Sequence, residues 1–218
     1  MKIKGFIFDL DGVIVDTAKY HFLAWKKLAE ELNITFTEIQ NEQLKGISRI
    51  KSLEKILSWG NLSLNKDHFD ALMAKKNDDY LGYIATMTNK EILPNVVQTL
   101  DYLKGKNQKI ALGSASKNAK AILEKVGIIN GFETIIDGNQ VTEAKPNPEV
   151  FLKAAKGLGV HAENCIVFED SIAGIQAANT AGMISIGIGS KEVLFEANHV
   201  FNGFTEISSA FIQKIIDN

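Results

Sequence analysis

Short apolar runs and helical periodicities alternate along most of the chain. Residues 3–10 form an apolar run that ends in Asp9-Leu10-Asp11-Gly12, which predicts a buried strand passing into a loop. Over residues 18–32, Phe22, Trp25, Leu28, Ala29 and Leu32 recur at three- and four-residue steps, one face of an amphipathic helix. Helical patterning continues through residues 53–57 and 69–83 with no strand between, so residues 16–86 read as an all-helical block. Beyond Pro94 the character changes. Residues 96–103 predict a helix, 109–112 a strand followed by Gly113-Ser114-Ala115-Ser116, and 119–126 a helix with Gly127 as its C-cap. Residues 134–136 predict a short strand, 149–158 a helix, 165–168 a strand, 172–181 a helix stopped by Gly182, and 184–188 a strand.

Strands alternating with helices at this spacing imply right-handed crossovers and a parallel sheet. Continuous apolar strands suit a sheet covered on both faces. The predicted fold class is α/β, a Rossmann-like parallel sheet with an all-helical domain inserted after the first strand. Residues 1–15 and 87–218 form the sheet domain and 16–86 the insertion, with linkers near 15–17 and 86–91.

Composition narrows the function classes. At 218 residues, 45% hydrophobic and 23% charged, the chain can bury a substantial core and is expected to be globular. The net charge of −2 provides no basic field for a nucleic-acid backbone. No apolar run approaches the ~20 residues of a membrane span, and the N-terminal run meets two acids where a signal core would continue. Cys165 is the single cysteine, which excludes an intrachain disulfide and a Cys-rich zinc site and predicts a cytoplasmic, reducing compartment. Arg49 is the single arginine among many lysines, either a chance survivor or the planar fork that a phosphate prefers.

In an open parallel sheet, ligands gather outside the carboxyl ends of the strands. Four such ends carry polar groups: Asp9 and Asp11, Ser114 and Ser116, Lys145 before Pro146, and Glu169-Asp170-Ser171. Each alone is a plausible turn, cap or solvated side chain. Together they place four acids, a hydroxyl and an ammonium at one rim. Crowded carboxylates repel unless a cation intervenes, and hard oxygen donors without clustered His or Cys select magnesium. Lys145 and Ser114 then complete a phosphoryl site in which a carboxylate can act as nucleophile. Asp9, nearest the strand end, is the expected nucleophile. Asp11, two residues on and pointing the same way from an extended segment, is the expected general acid and base.

The order Asp9-x-Asp11-Gly-x-x-x-Asp16, then Ser114, Lys145-Pro146 and Glu169-Asp170, resembles the haloacid dehalogenase superfamily of phosphotransferases across the whole chain. The helical insertion looks like that superfamily's first type of cap. The stretches D-L-D-G-V-I-V-D-T, Y-H-F-x-A-W, Q-L-K-G-I-S-R, S-A-S-K-N and E-D-S-I-A-G-I are similar to segments of its sugar-phosphate mutases. The resemblance implies an isomerase that moves phosphate between C1 and C6 of β-D-glucose through an aspartyl phosphate on Asp9, with β-glucose 1,6-bisphosphate as intermediate and activator. It implies one Mg2+ held by Asp9, Asp170, the Asp11 backbone carbonyl and Glu169. Ser114 and Lys145 are implied to bind the transferring phosphoryl group, and Arg49, Ser116, Lys117 and Asn118 the distal phosphate. Gly46 is implied to let the cap loop approach substrate, while Thr17, His21, Trp25, Lys45, Ser52 and Lys76 shape the closed cap. The implied partner is a small sugar phosphate, handled by a monomer. A phosphatase on a small sugar phosphate is the alternative enzyme. A phosphorylatable receiver-like domain or an inactive sensor is the non-enzymatic one, against which stand the inserted block and the presence of both Asp9 and Asp11.

Several of these residues carry competing structural readings: Trp25 as core, His21 as a packing histidine, Lys76 as a surface charge beside Lys75, Thr17 as a helix N-cap. Cys165 reads as inert core, and His68, His161 and His199 show no partner. The lysines at 104, 106 and 109 read as solvated surface.

Overall fold

The computed structural model describes residues 3–217. Six strands form one parallel sheet in the order β3-β2-β1-β4-β5-β6: β1 (Gly5–Phe8), β2 (Lys109–Gly113), β3 (Thr134–Ile136), β4 (Cys165–Glu169), β5 (Ile184–Ile188) and β6 (His199–Phe201). The first strand is central, flanked by β2 and β4, so its carboxyl end has a neighbouring strand end on either side. It is shorter than the apolar run predicts: Ile3 is exposed, and Asp9-Leu10 leaves the sheet to begin the site loop.

Side-chain alternation along β1 builds two cores. Phe6 and Phe8 face one side, where Phe8 stacks on Phe168 at 4.6 Å between ring centroids and Phe204 closes the stack. Ile7 faces the other with Ala111, Val167 and Phe151. Helices α5 (Val96–Gly105), α6 (Ala119–Lys125), α7 (Glu149–Leu158), α8 (Ile172–Thr180) and α9 (Ser209–Asp217) cover the sheet, numbered after the four helices of the insertion. Those are α1 (Ala18–Glu31), α2 (Glu38–Glu42), α3 (Arg49–Trp59) and α4 (Lys66–Ile84). The insertion buries its own cluster of Trp25, Leu28, Leu53, Ile56 and Leu57, separate from the two sheet cores. Three elements lie outside the sequence expectation: α2, β6 and α9. Among the described residues no helix is long and apolar enough to cross a membrane.

Candidate active site

The strand ends converge as the sheet order requires. Asp9 leaves β1 with its N–H donating to the Phe168 carbonyl at 3.0 Å, so the site loop stays tied to β4. Lys145 arrives after β3 and is buried between two carboxylates, its Nζ 2.6 Å from Asp9 Oδ1 and 2.5 Å from Glu169 Oε1. The other Glu169 oxygen accepts from the Ser171 N–H at 2.7 Å and the Ser171 hydroxyl at 2.9 Å. Asp170 faces the β1 loop at Gly12, whose φ of +76° and missing Cβ admit the Asp170 carboxylate. Ser114, buried at the end of β2, accepts from the Ser116 N–H at 3.1 Å.

Burial dominates the electrostatics. It raises Asp9 to about 7, aided by Glu169 and Asp11 and opposed by the Lys145 ammonium. Burial also works against the Lys145 charge, yet Asp9 and Glu169 outweigh it and hold Lys145 above its ordinary value. Asp11 is raised by burial, with its Thr17 hydrogen bond and Lys76 pulling the other way. Asp170 is raised well above the usual carboxylate range by burial and Glu169, against Lys45.

The insertion covers this rim. Thr17 is completely buried and donates its hydroxyl to Asp11 Oδ1, leaving the start of α1 without a side-chain cap. One helical turn on, His21 Nε2 lies 3.8 Å from the same oxygen. The His21 ring stacks on Tyr80 at 4.2 Å, and its Nδ1 lies 2.9 Å from Lys76 Nζ. While Lys76 holds its proton it can only donate, so in that state Nδ1 accepts and the ring proton sits on Nε2, facing Asp11. Burial, then Lys76 and Arg49, push His21 well below its usual value and keep the ring neutral. Lys76 is 2% exposed, 4.7 Å above the centroids of both Trp25 and Tyr80, and burial with Arg49 lowers it to about 7. It is no surface charge.

Lys76 predicts a slope in stability. Below about pH 7 folded and unfolded chains both hold its proton, and the cost of burying the cation is present in full. Between 7 and 10.5 the folded chain has released that proton while the unfolded chain retains it, so stability rises with pH. Lys76→Met has no such titration. In urea unfolding of metal-free protein, wild type should gain on Lys76→Met by up to about 1.4 kcal/mol per pH unit above neutrality. A constant difference would place a permanently charged lysine there.

Both sides meet in one cleft of about 480 Å³. From the sheet it is lined by Asp9, Asp11, Ser114, Ser116, Lys117, Asn118, Lys145 and Asp170, and from the insertion by His21, Trp25, Lys45, Gly46, Arg49, Ser52 and Lys76. Two expected site residues do not line it. Thr17 lies behind Asp11, and Glu169 is held by Lys145 and Ser171. Trp25 is at once part of the insertion's core and a cleft wall. Gly46, with φ +72°, admits Ser171, whose hydroxyl a Cβ would strike, so its close approach is to the β4 loop as well as to the cleft. Lys45 Nζ lies 3.0 Å from Glu42 and 3.5 Å from Asp170. Arg49 makes no ion pair among the described residues, and its burial lowers it from the ordinary guanidinium value. Sequence reasoning missed Tyr80, whose buried hydroxyl has no hydrogen-bond partner among the described residues, and Asn77, which meets Asn118. Cys165 is core, its thiol pushed up to about 11 by burial. His199 does have a partner, packing edge-on against Phe211 at 5.0 Å.

Residues 3–182 match the family of haloacid dehalogenase-like hydrolases. Over 214 residues, 97% of this chain and 95% of the relative, the sequence is 42% identical to a β-phosphoglucomutase of Bacillus subtilis. The chain belongs to the haloacid dehalogenase-like hydrolase family.

The crystal structure of a β-phosphoglucomutase from Clostridium difficile superposes with a TM-score of 0.94 at 44% identity, covering 99% of this chain and 97% of that one. A phosphorylated carbohydrates phosphatase of Thermotoga maritima is 27% identical over 83% of this chain and 82% of its own length.

The donor set of this haloacid dehalogenase-like site fits a hard divalent cation. Asp9 and Asp170 each keep one carboxylate oxygen outside any hydrogen bond or ion pair among the described residues, and their raised affinities for protons mark negative charge in need of a counter-ion. No three His, Cys, Asp or Glu side chains form an all-protein cage among the described residues. Mg2+ needs none, since it usually takes one or two carboxylates and keeps places for water and phosphate oxygens.

Proposed function

We propose that the protein is a phosphotransferring isomerase, interconverting β-D-glucose 1-phosphate and β-D-glucose 6-phosphate. The observation that carries this reading is the two-sided cleft. Asp9, Asp11 and Lys145 line it from the sheet, while Arg49 and Lys45 line it from the insertion, so a doubly phosphorylated sugar finds cations on both walls. The full-length likeness to two β-phosphoglucomutases supports the same substrate.

In the cycle, the C6 hydroxyl of β-glucose 1-phosphate attacks the phosphorus of phospho-Asp9 and gives its proton to Asp11. The bond from phosphorus to Asp9 breaks, and β-glucose 1,6-bisphosphate forms. After the bisphosphate turns over, Asp9 attacks the C1 phosphoryl group, Asp11 returns the proton to the departing C1 oxygen, and β-glucose 6-phosphate leaves. Burial of Asp11 favours the protonated form that this second step needs. Ser114 and Lys145 hold the reacting phosphoryl group. Arg49, Ser116, Lys117 and Asn118 hold whichever phosphate is idle, one set serving both half-reactions. His21, Trp25, Lys45, Gly46, Ser52 and Lys76 shape the covered cleft, and Thr17 fixes Asp11 from behind. Mg2+, held by Asp9, Asp170 and the Asp11 carbonyl with Glu169 behind them, supplies charge neutralisation at the Asp9 end when bound. We place the division between sheet domain and cap at residues 15/16 and 86/87, and the protein in the cytoplasm as a monomer.

The test offers β-glucose 1-phosphate, Mg2+ and a trace of the 1,6-bisphosphate, and measures glucose 6-phosphate and free phosphate separately. Glucose 6-phosphate without matching phosphate is expected. Phosphate release without isomerisation would make the protein a sugar phosphatase. On the same assay Arg49→Lys, which keeps the charge and loses the planar fork, should raise KM for the sugar phosphate about tenfold. Hydrolysis of acetyl phosphate, which has no distal phosphate, should change little. Equal losses on both would make Arg49 structural.

A further inference from the structure

The insertion touches the sheet rim on both flanks of β1. On the β4 flank, Lys45 and Gly46 meet Asp170 and Ser171. On the β2 flank, one hydrogen bond among the described residues joins the two, from Asn118 Nδ2 to Asn77 Oδ1 at 3.2 Å. Asn77 lies on α4 directly after Lys76 and does not line the cleft.

Asn118 occupies the N-cap position of α6, where an asparagine ordinarily turns its side chain back to accept a backbone N–H of its own helix. Here it makes no such cap and points to the insertion instead. The loop carrying it is pinned elsewhere. Ser116 N–H donates to Ser114 Oγ at 3.1 Å, Asn118 N–H to Ser116 Oγ at 3.3 Å, and Asn139 Nδ2 to the Lys117 carbonyl at 2.9 Å. A continuous run of hydrogen bonds thus leads from the Ser114 hydroxyl through Ser116 and Asn118 to α4. The loop is a fixed platform, and the Asn118 amide is its attachment to the insertion.

We infer that Asn77 is a positioning residue that latches the insertion over the β2 side of the cleft through Asn118, keeping water from phospho-Asp9 while sugar is bound. The inference rests on the phosphotransfer reading above and adds to it the residue that sets the partition between sugar and water. The required chemistry is an acceptor at position 77. Asn77→Asp preserves that acceptor with nearly the same shape. Asn77→Ala removes it while remaining a good helix residue at a half-buried position.

Wild type and both variants are phosphorylated with acetyl phosphate in Mg2+, and loss of the phosphoryl group is followed in single turnover with and without β-glucose 1-phosphate. Asn77→Ala should shift the partition toward water by about fivefold, the ordinary weight of one hydrogen bond, and Asn77→Asp should return it to the wild-type value. Thermal unfolding of both variants should match wild type, which separates a latch from a folding defect. A wild-type partition in Asn77→Ala, or the same shift in both variants, would overturn the inference. If wild type transfers to no sugar, the mutase reading fails by itself. The latch is then decided by phosphoenzyme hydrolysis alone, faster in Asn77→Ala and unchanged in Asn77→Asp if it holds, equal in all three proteins if it does not.

Discussion

Asp9→Asn should give a folded protein that acquires no phosphoryl group and interconverts glucose phosphates at least ~10⁴-fold more slowly than wild type. An amide does not attack phosphorus, and no other carboxylate takes its place. Glu169 is occupied by Lys145 and Ser171, and Asp170 faces Gly12 and Lys45. Folding should survive for a reason already visible in the charges. Burial raises Asp9 to about 7, so its ionised form is a cost that the native state carries, and Asn removes it. Lys145 keeps Glu169 at 2.5 Å and is not stranded. The measurement is intact mass after incubation with acetyl phosphate and Mg2+, alongside glucose 6-phosphate formation. A variant that still gains a phosphoryl group moves the nucleophile elsewhere, and Ser114 at the neighbouring strand end is the group to map first.

The parallel sheet was legible because most of its strands are continuous apolar runs, and the polar residues that follow β1, β2 and β4 mark its rim. The rim could be assembled from strand ends alone, since topology brings the ends of β1, β2 and β4 side by side whatever the details of packing. Elements at the margin were harder. His199–Phe201 is a three-residue edge strand led by an exposed histidine, and it follows β5 with no helix between, outside the strand–helix alternation that located the equally short β3. By contrast α9 carries a clear signal in the sequence, with Phe211, Ile212, Ile215 and Ile216 at helical spacing over the core.

In the insertion the difficulty was one of partners. Lys75 and Lys76 are adjacent in sequence, and their opposite fates follow from the face of α4. Lys76, Tyr80 and Ile84 recur every four residues and are all buried, whereas Lys75 pairs at the surface with Glu31 at 2.6 Å. A lysine within a buried stripe was the available clue. Thr17 offered none. Its bond to Asp11 depends on the chain folding back after Gly12, where Gly12 N–H and Val15 N–H tie residues 10–15 into a tight loop. A residue at a helix start looks like a cap until that loop is known.

Asp11→Asn should separate proton transfer from nucleophilic attack. Acetate is a weak base and leaves phosphorus without help, so phosphorylation of Asp9 by acetyl phosphate needs no acid and should proceed close to the wild-type rate. Sugar alkoxides are strong bases, and each transfer to or from a sugar hydroxyl needs a proton moved, the duty proposed for Asp11. Glucose 6-phosphate formation should therefore fall by about 10³-fold. The surroundings of Asp11 suit that proposed duty. Thr17 donates to Oδ1 and the neutral His21 faces the same oxygen at 3.8 Å, while burial raises the proton affinity so that the acid form remains available. An asparagine can accept the Thr17 hydrogen bond as the carboxylate does, which keeps the tie between Asp11 and the insertion and confines the loss to the proton. Phosphoenzyme formed at the normal rate and discharged slowly to sugar is the expected signature in single-turnover kinetics. Equal slowing of both steps would mean that Asp11 positions Asp9 instead of moving protons, and fast discharge to sugar would assign the acid to another group.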